Sequence, residues 1–208
     1  MKKNKLLIIG LIVTLSLMIL IVALTFFELE RDYFSNTIKN AEGEVLYEIN
    51  ANATEYQKLI FTELSDVINE GGTPQEYAGS VVKNYVADFY TWSNKKGTYD
   101  IGGMQYVYQP EIVNIYNFAK DFFYRDLSYN IQTYGVENLL EVENVEITFS
   151  DFNAKIEYNG QMYQSFYVTA SWTYVQKEGF DLTGYQTSGE FSLIDRDGKI
   201  EIYRYYGE

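Results

Sequence analysis

The sequence predicts an α+β domain carried behind a single N-terminal transmembrane helix, and three observations predict it. Leu6–Phe27 is apolar and uncharged and follows Lys2, Lys3 and Lys5. Apolar residues then recur at helical spacing behind recognisable cap signals. From Val142 onward the period of the apolar pattern changes from about 3.6 to about 2.

A bilayer core of roughly 30 Å takes about 20 helical residues, so Leu6–Phe27 is long enough to span. A cleaved signal peptide carries a shorter apolar region with a small-x-small exit. Here the exit offers only Ala23 and Thr25, and there is no cysteine to carry a lipid anchor. Glu28, Glu30, Arg31 and Asp32 follow the stretch. The positive-inside rule then assigns residues 1–5 to the cytoplasm and the long C-terminal part to the outside. The expected localisation is the cell membrane, single-pass, with an extracytoplasmic domain.

Composition narrows what that domain can do. Setting aside the three tail lysines leaves 13 basic residues against 29 acidic ones, a net charge of −16. Nucleic acid and anionic lipid both need a basic surface, so neither is an expected partner of the exported part. Aromatics make up 17% of the chain, which favours a packed core over disorder. With no cysteine, stability must come from that core without disulfides. With no histidine, the commonest metal ligand and general base is missing. No cofactor and no metal are expected, and the sequence reads as a non-enzyme.

Residues 28–53 are mixed and charged and read as a juxtamembrane stalk or first helix. The folded domain is expected over residues 54–208. Thr54-Glu55-Tyr56-Gln57 has the form of a capping box, and Tyr56, Ile60, Leu64, Val67 and Ile68 follow on one helical face before Gly71-Gly72. Thr73-Pro74-Gln75-Glu76 combines an N-cap hydroxyl, a first-turn proline and a capping-box glutamate. That second helix is expected to run to about Ser93, with Lys95, Lys96 and Gly97 ending it. A loop holding Gly102-Gly103 and a short edge strand at Gln105–Tyr108 follow. Pro110 opens a third helix with Ile112, Tyr116, Ala119, Phe122 and Phe123 inward, and Asn114 outward.

Beyond Val142 the strands begin. Val145, Ile147 and Phe149 alternate with polar neighbours, and Asn159-Gly160 is a preferred pair for a two-residue hairpin. The next strand is long: Met162, Phe166, Val168, Ala170, Trp172 and Tyr174 share one face, and Tyr163, Ser165, Tyr167, Thr169, Ser171 and Thr173 the other. Tyr185–Ile194 and Lys199–Tyr206 form a last hairpin across Asp195-Arg196-Asp197-Gly198. About three helices are therefore expected to pack on the apolar face of a curved antiparallel sheet of four to five strands.

This order of elements, over residues 54–206, resembles the NTF2-like (cystatin-like) cone. With the N-terminal span it is similar in layout to the VirB8-like components of type IV secretion and conjugation machines. Locally, Tyr85-Val86-Ala87-Asp88-Phe89-Tyr90 and Tyr99-Asp100 line up with that family's tyrosine-rich helix and loop. The family's Arg-Glu pair is absent, with Lys95-Lys96 nearby, and its Asn-Pro-x-Gly stretch has no counterpart. The resemblance implies an anchored scaffold that self-associates and contacts other membrane or secretion subunits. The alternatives are a cell-surface domain holding a small ligand in the cone and, behind it, an enzyme using a buried Asp, Glu or Tyr there.

Two sets of residues carry those expectations. Tyr85, Tyr116, Phe123, Phe166 and Trp172 face inward and either fill the core or line a pocket. Tyr163, Ser165, Tyr167 and Thr169, on the uncharged outer face of the long strand, are the expected contact strip. No acid falls at an inward position. Asp195-x-Asp197-Gly198 with Glu201 has the opening of a calcium loop, but the spacing fits a plain hairpin turn. Asn52-Ala53-Thr54 is a glycosylation sequon whose threonine is better explained as a helix cap.

Overall fold

A computed structural model describes residues 16–20, 36–150, 154–158 and 160–207. The chain divides into two units, residues 1–36 and residues 37–208. In the first, residues 16–20 are helical. Apart from these five, the span expected at Leu6–Phe27 lies outside the described residues. Among the described residues no helix is long and apolar enough to cross a membrane. The transmembrane, single-pass element of the expected fold is therefore corrected.

The second unit is α+β. It opens with a short antiparallel hairpin, β1 (Thr37–Lys39) and β2 (Val45–Glu48). This stretch was expected as a stalk or helix. The hairpin is held by one core anchor on each short strand, Ile38 and Tyr47, both buried. The Tyr47 ring stacks on Tyr106 at 5.1 Å, and its hydroxyl donates to the Ile200 carbonyl at 2.7 Å.

Helices α1 (Glu55–Asn69) and α2 (Pro74–Phe89) begin where the capping boxes place them. Thr54 accepts from Gln57 N while the Gln57 side chain accepts from Thr54 N, and Thr73 and Glu76 repeat the exchange. Each such cap is worth about 0.5–2 kcal/mol over alanine. The Glu76 carboxyl sits below its usual range because the Thr73 backbone N–H bonds its charged form. Helix α2 ends at Phe89, short of Ser93. The chain leaves the helix because Trp92 and Ser93 N–H groups both donate to the Leu140 carbonyl, and Thr91 Oγ1 accepts from Val142 N. Tertiary pairing overrides the later stop signal.

After Gly102-Gly103 the chain makes a tight turn over Met104–Tyr106 in place of the expected edge strand. Val107 then bridges Ile202 in parallel, and Tyr108 N donates to Ile202 O at 2.8 Å. A short turn over Gln109–Glu111 leads into α3 (Ile112–Asp121), and a fourth helix, α4 (Leu127–Tyr134), follows where the sequence reads as loop. Helix α4 has no side-chain cap, and Leu127 is its one buried residue, so nothing periodic marks it. Four helices therefore replace the expected three.

The sheet comprises β3 (Val142–Phe149), β4 (Lys155–Tyr158), β5 (Gln161–Tyr174), β6 (Ser188–Arg196) and β7 (Lys199–Gly207). All pairs are antiparallel, in the order β3-β5-β6-β7, with β4 also on β5. At the last hairpin Asp197 and Gly198 both take positive φ, 55° and 87°. That is the two-residue type I′ turn, and no group of side chains that could hold a metal ion occurs among the described residues. Helix α2 lies across the inner face, burying Val81, Val82, Tyr85, Val86 and Phe89 against β3, β5 and β7. Each such side chain contributes roughly 1.5–3 kcal/mol on burial.

Candidate functional site: an aromatic cleft beside helix α3

Helix α3 buries only Ala119 fully. Its Val113 and Phe118, and Phe122 just beyond it, are about three-fifths exposed, so Phe122, expected inward, is turned out. A cleft of about 640 Å³ is lined by α2, α3 and the C-terminal end of β7. Tyr85, Phe89 and the cap residue Tyr90 supply the α2 wall; Glu111, Asn114, Ile115, Phe118 and Phe123 supply the second; Gln186 and Tyr203–Tyr206 supply the third. The i, i+4 spacing of Tyr85 and Phe89 puts both rings on one helix face, stacked 5.2 Å apart at 17°. Phe123 extends the stack, 5.5 Å from Phe89 and 5.0 Å from Tyr90.

Polar groups in this wall are mostly closed on one another. Tyr90 OH donates to Gln186 Oε1 at 3.0 Å, and Gln186 Nε2 donates to Ser188 O and to Tyr205 OH. Tyr205 OH in turn bonds Tyr90 OH. Burial holds the phenols of Tyr90 and Tyr205 above their ordinary value, so both remain neutral donors. Tyr85 is different. It is fully buried, yet its hydroxyl has no hydrogen-bond partner among the described residues. Burial, then the neighbouring Tyr205 and Asp88, push its ionisation well above the ordinary value.

The rim carries one charge of each sign. Glu111 accepts from Asn114 Nδ2 at 3.2 Å and from Tyr158 OH at 3.4 Å. Arg204 lies over the Tyr203 ring at 4.8 Å and donates to Tyr206 OH at 3.4 Å.

Of the five residues expected to line a pocket, the structure brings Tyr85 and Phe123 to this cleft. Trp172 stands behind it, 4.4 Å from the Tyr90 ring, with its indole N–H donated to Tyr174 OH. Phe166 is core, on β5 opposite Leu193. Tyr116 turns away and donates to the Tyr99 carbonyl at 3.2 Å. Asn114, expected outward, lines the mouth. Phe89 follows Tyr85 by four residues and so shares its face of α2. The aromatics of β7 carried no signal beyond strand alternation.

The expected contact strip is split. Tyr163 and Ser165 are buried, Tyr163 beside Tyr108 and Ile194, and Ser165 with its hydroxyl donated to Ala154 O at 2.6 Å. Tyr167 is half-buried and Thr169 is exposed. The cause is the loop at Tyr108, which passes over the edge of β7 and covers the outer face there. The same cover buries an acid. Glu201 is only 2% exposed and is gripped by Arg196 at 2.7 and 2.8 Å and by Lys199 at 3.3 Å. A second acid, Asp88, pairs with the fully buried Lys95 at 2.5 Å and accepts from Gly103 N at 2.6 Å. The expectation that no acid faces inward is corrected by Asp88, which is part-buried, while Glu201 is buried on the covered outer face. Both are ion-paired within the fold, and neither lines the cleft.

Comparison with known protein families, with curated proteins and with solved structures gives no match for this chain. The chemistry of the cleft therefore rests on its own residues.

Proposed function

We propose that this domain is a small-molecule binding module whose site is the cleft between α2, α3 and the end of β7. The observation that carries this reading is the cleft itself, about 640 Å³ with walls of Tyr, Phe and Ile side chains and a few placed polar groups. That size and lining are those of sites that enclose drug-sized ligands. A binding role suits the polar groups better than catalysis does, because the part-buried Asp88 and the buried Glu201 are engaged elsewhere. An assembly role through β5 has less to work with, since only part of its outer face is accessible.

The test uses prodan, an uncharged fluorescent naphthyl ketone. The full chain is expected to give a saturable, blue-shifted enhancement with one site per chain. Asn114 is exposed at the mouth, so Asn114→Trp fills the entrance without disturbing the core. It is expected to weaken prodan at least tenfold while leaving the melting temperature unchanged. No saturable signal from the wild type, or equal binding by Asn114→Trp, overturns the reading.

A further inference from the structure

We infer that the molecule held in this cleft is a short peptide in extended form, which lies along the outer edge of β7 and adds to the sheet as a further strand. The inference rests on the cleft being the binding site proposed above and names the class of ligand.

The residues that the cleft touches fix where it lies. Successive side chains of a strand point to opposite faces, so a hollow over one face meets only alternate residues. The cleft instead meets Tyr203, Arg204, Tyr205 and Tyr206 in succession. Tyr205 points inward, opposite Phe191 and stacked on its ring at 4.9 Å. Arg204 and Tyr206 point the other way, onto a separate hollow of the outer face that Tyr205 does not line. A space reached from both faces of one strand runs along that strand's edge.

That edge is open. Strand β7 ends the order β3-β5-β6-β7, so no strand covers its second side. Val107 bridges Ile202 and Tyr108 N donates to Ile202 O, after which the chain turns away through Gln109–Glu111 into α3. Tyr203 is the extra residue of a bulge, and past Ile202 no backbone bond reaches this side of β7 among the described residues. Residues 203–207 thus present about 17 Å of edge, the length of an ordinary strand. The fold's own chain already joins the same edge at Ile202, and a peptide continues that row into the space beside α3.

The two sides of the cleft set the side-chain pattern. Ile115, Phe118 and Phe123 line the helix side, whereas Arg204 and Tyr206 stand exposed on the other. An added strand turns alternate side chains to each, so apolar residues should alternate with polar ones.

The experiment uses acetyl-Thr-Leu-Thr-Leu-Thr-amide to displace prodan from the full chain. One analogue is N-methylated on its two leucines and another on its last two threonines. Alternate N–H groups of an extended chain point to opposite sides, so only one analogue loses those that face β7. The parent is expected to displace prodan, one analogue to match it, and the other to bind about tenfold more weakly or worse. Amide hydrogen exchange over residues 203–207 is expected to slow when the parent binds. Equal affinity of the two analogues, or unchanged exchange over that segment, overturns the strand pairing. Prodan that binds but is not displaced by the parent overturns the peptide and leaves the cleft reading standing; sedimentation of the chain as a dimer would then assign the edge to a second copy. Absence of saturable prodan binding removes the cleft reading itself.

Discussion

Raising the pH should unfold this domain in one steep step. Tyr47, Tyr85, Tyr106 and Tyr124 are each held well above the ordinary phenol value of 10.0, with burial the largest cause in every case. The folded state therefore keeps four protons that the unfolded chain releases above pH 10. Stability is fully present below the unfolded value and is lost as pH rises toward the folded ones. Each phenol removes about 1.36 kcal/mol per pH unit, so these four remove roughly 5 kcal/mol per unit, and Tyr90 and Tyr174, also raised by burial, add to that. Against a stability on the order of 5–15 kcal/mol, unfolding should come about one to three units above pH 10. The net charge of −13 at pH 7 grows in the same range and pushes the same way. Tyrosinate absorbance and far-UV circular dichroism, followed together on one pH titration, measure this. The four buried phenols should ionise in the same step in which helix signal is lost. Stepwise ionisation of all four with circular dichroism intact would refute the reasoning.

Two predictions concern single side chains. A Cβ at Gly102 would lie 2.2 Å from the Asp88 carbonyl oxygen and 2.6 Å from its backbone carbon, so Gly102→Ala must push the loop off α2. It should cost about 1–3 kcal/mol in chemical denaturation, and wild-type stability in that variant would show that the loop is not seated there. Arg196→Ala leaves the buried Glu201 with Lys199 alone at 3.3 Å. Because Arg196 is 40% exposed, the expected loss is discounted to about 1–3 kcal/mol, read as a lowered melting temperature. No change would mean that Glu201 is solvated.

Local chemistry made much of the fold legible. The hydroxyl–x–x–Glu/Gln spacing at Thr54 and Thr73 is a complete hydrogen-bonding unit within four residues, and both caps form. Strand β5 could be read because alternation is regular from Phe166 to Tyr174, and the last hairpin was placed at Asp195–Gly198, where positive φ at Asp197 and Gly198 makes the turn. What escaped was made by distant parts of the chain. Tyr47 sits in a short mixed stretch without periodicity and acquires meaning only against Tyr106 and Ile200. The end of α2 depends on the Leu140 carbonyl, fifty residues on. Of the site, Tyr85 and Phe123 were named from their inward spacing, whereas the β7 wall was not. A cleft is space left where α3 fails to bury its apolar face, and no residue type marks such space in a linear sequence.

The passage of Val107-Tyr108 beside β7 has a consequence for how these molecules meet one another. A sheet ends in strands whose free N–H and C=O groups invite another chain to join. Here Val107 and Tyr108 occupy the β7 side at Ile202. On the opposite margin Thr91 takes the Val142 N–H, and the Tyr56 hydroxyl takes that of Val145 at 2.8 Å. At these positions both borders of the sheet are blunted against strand addition. A tyrosine-rich acidic chain with no disulfide thus carries its exposed aromatic rings at a cleft, while parts of its sheet margins are engaged within the fold.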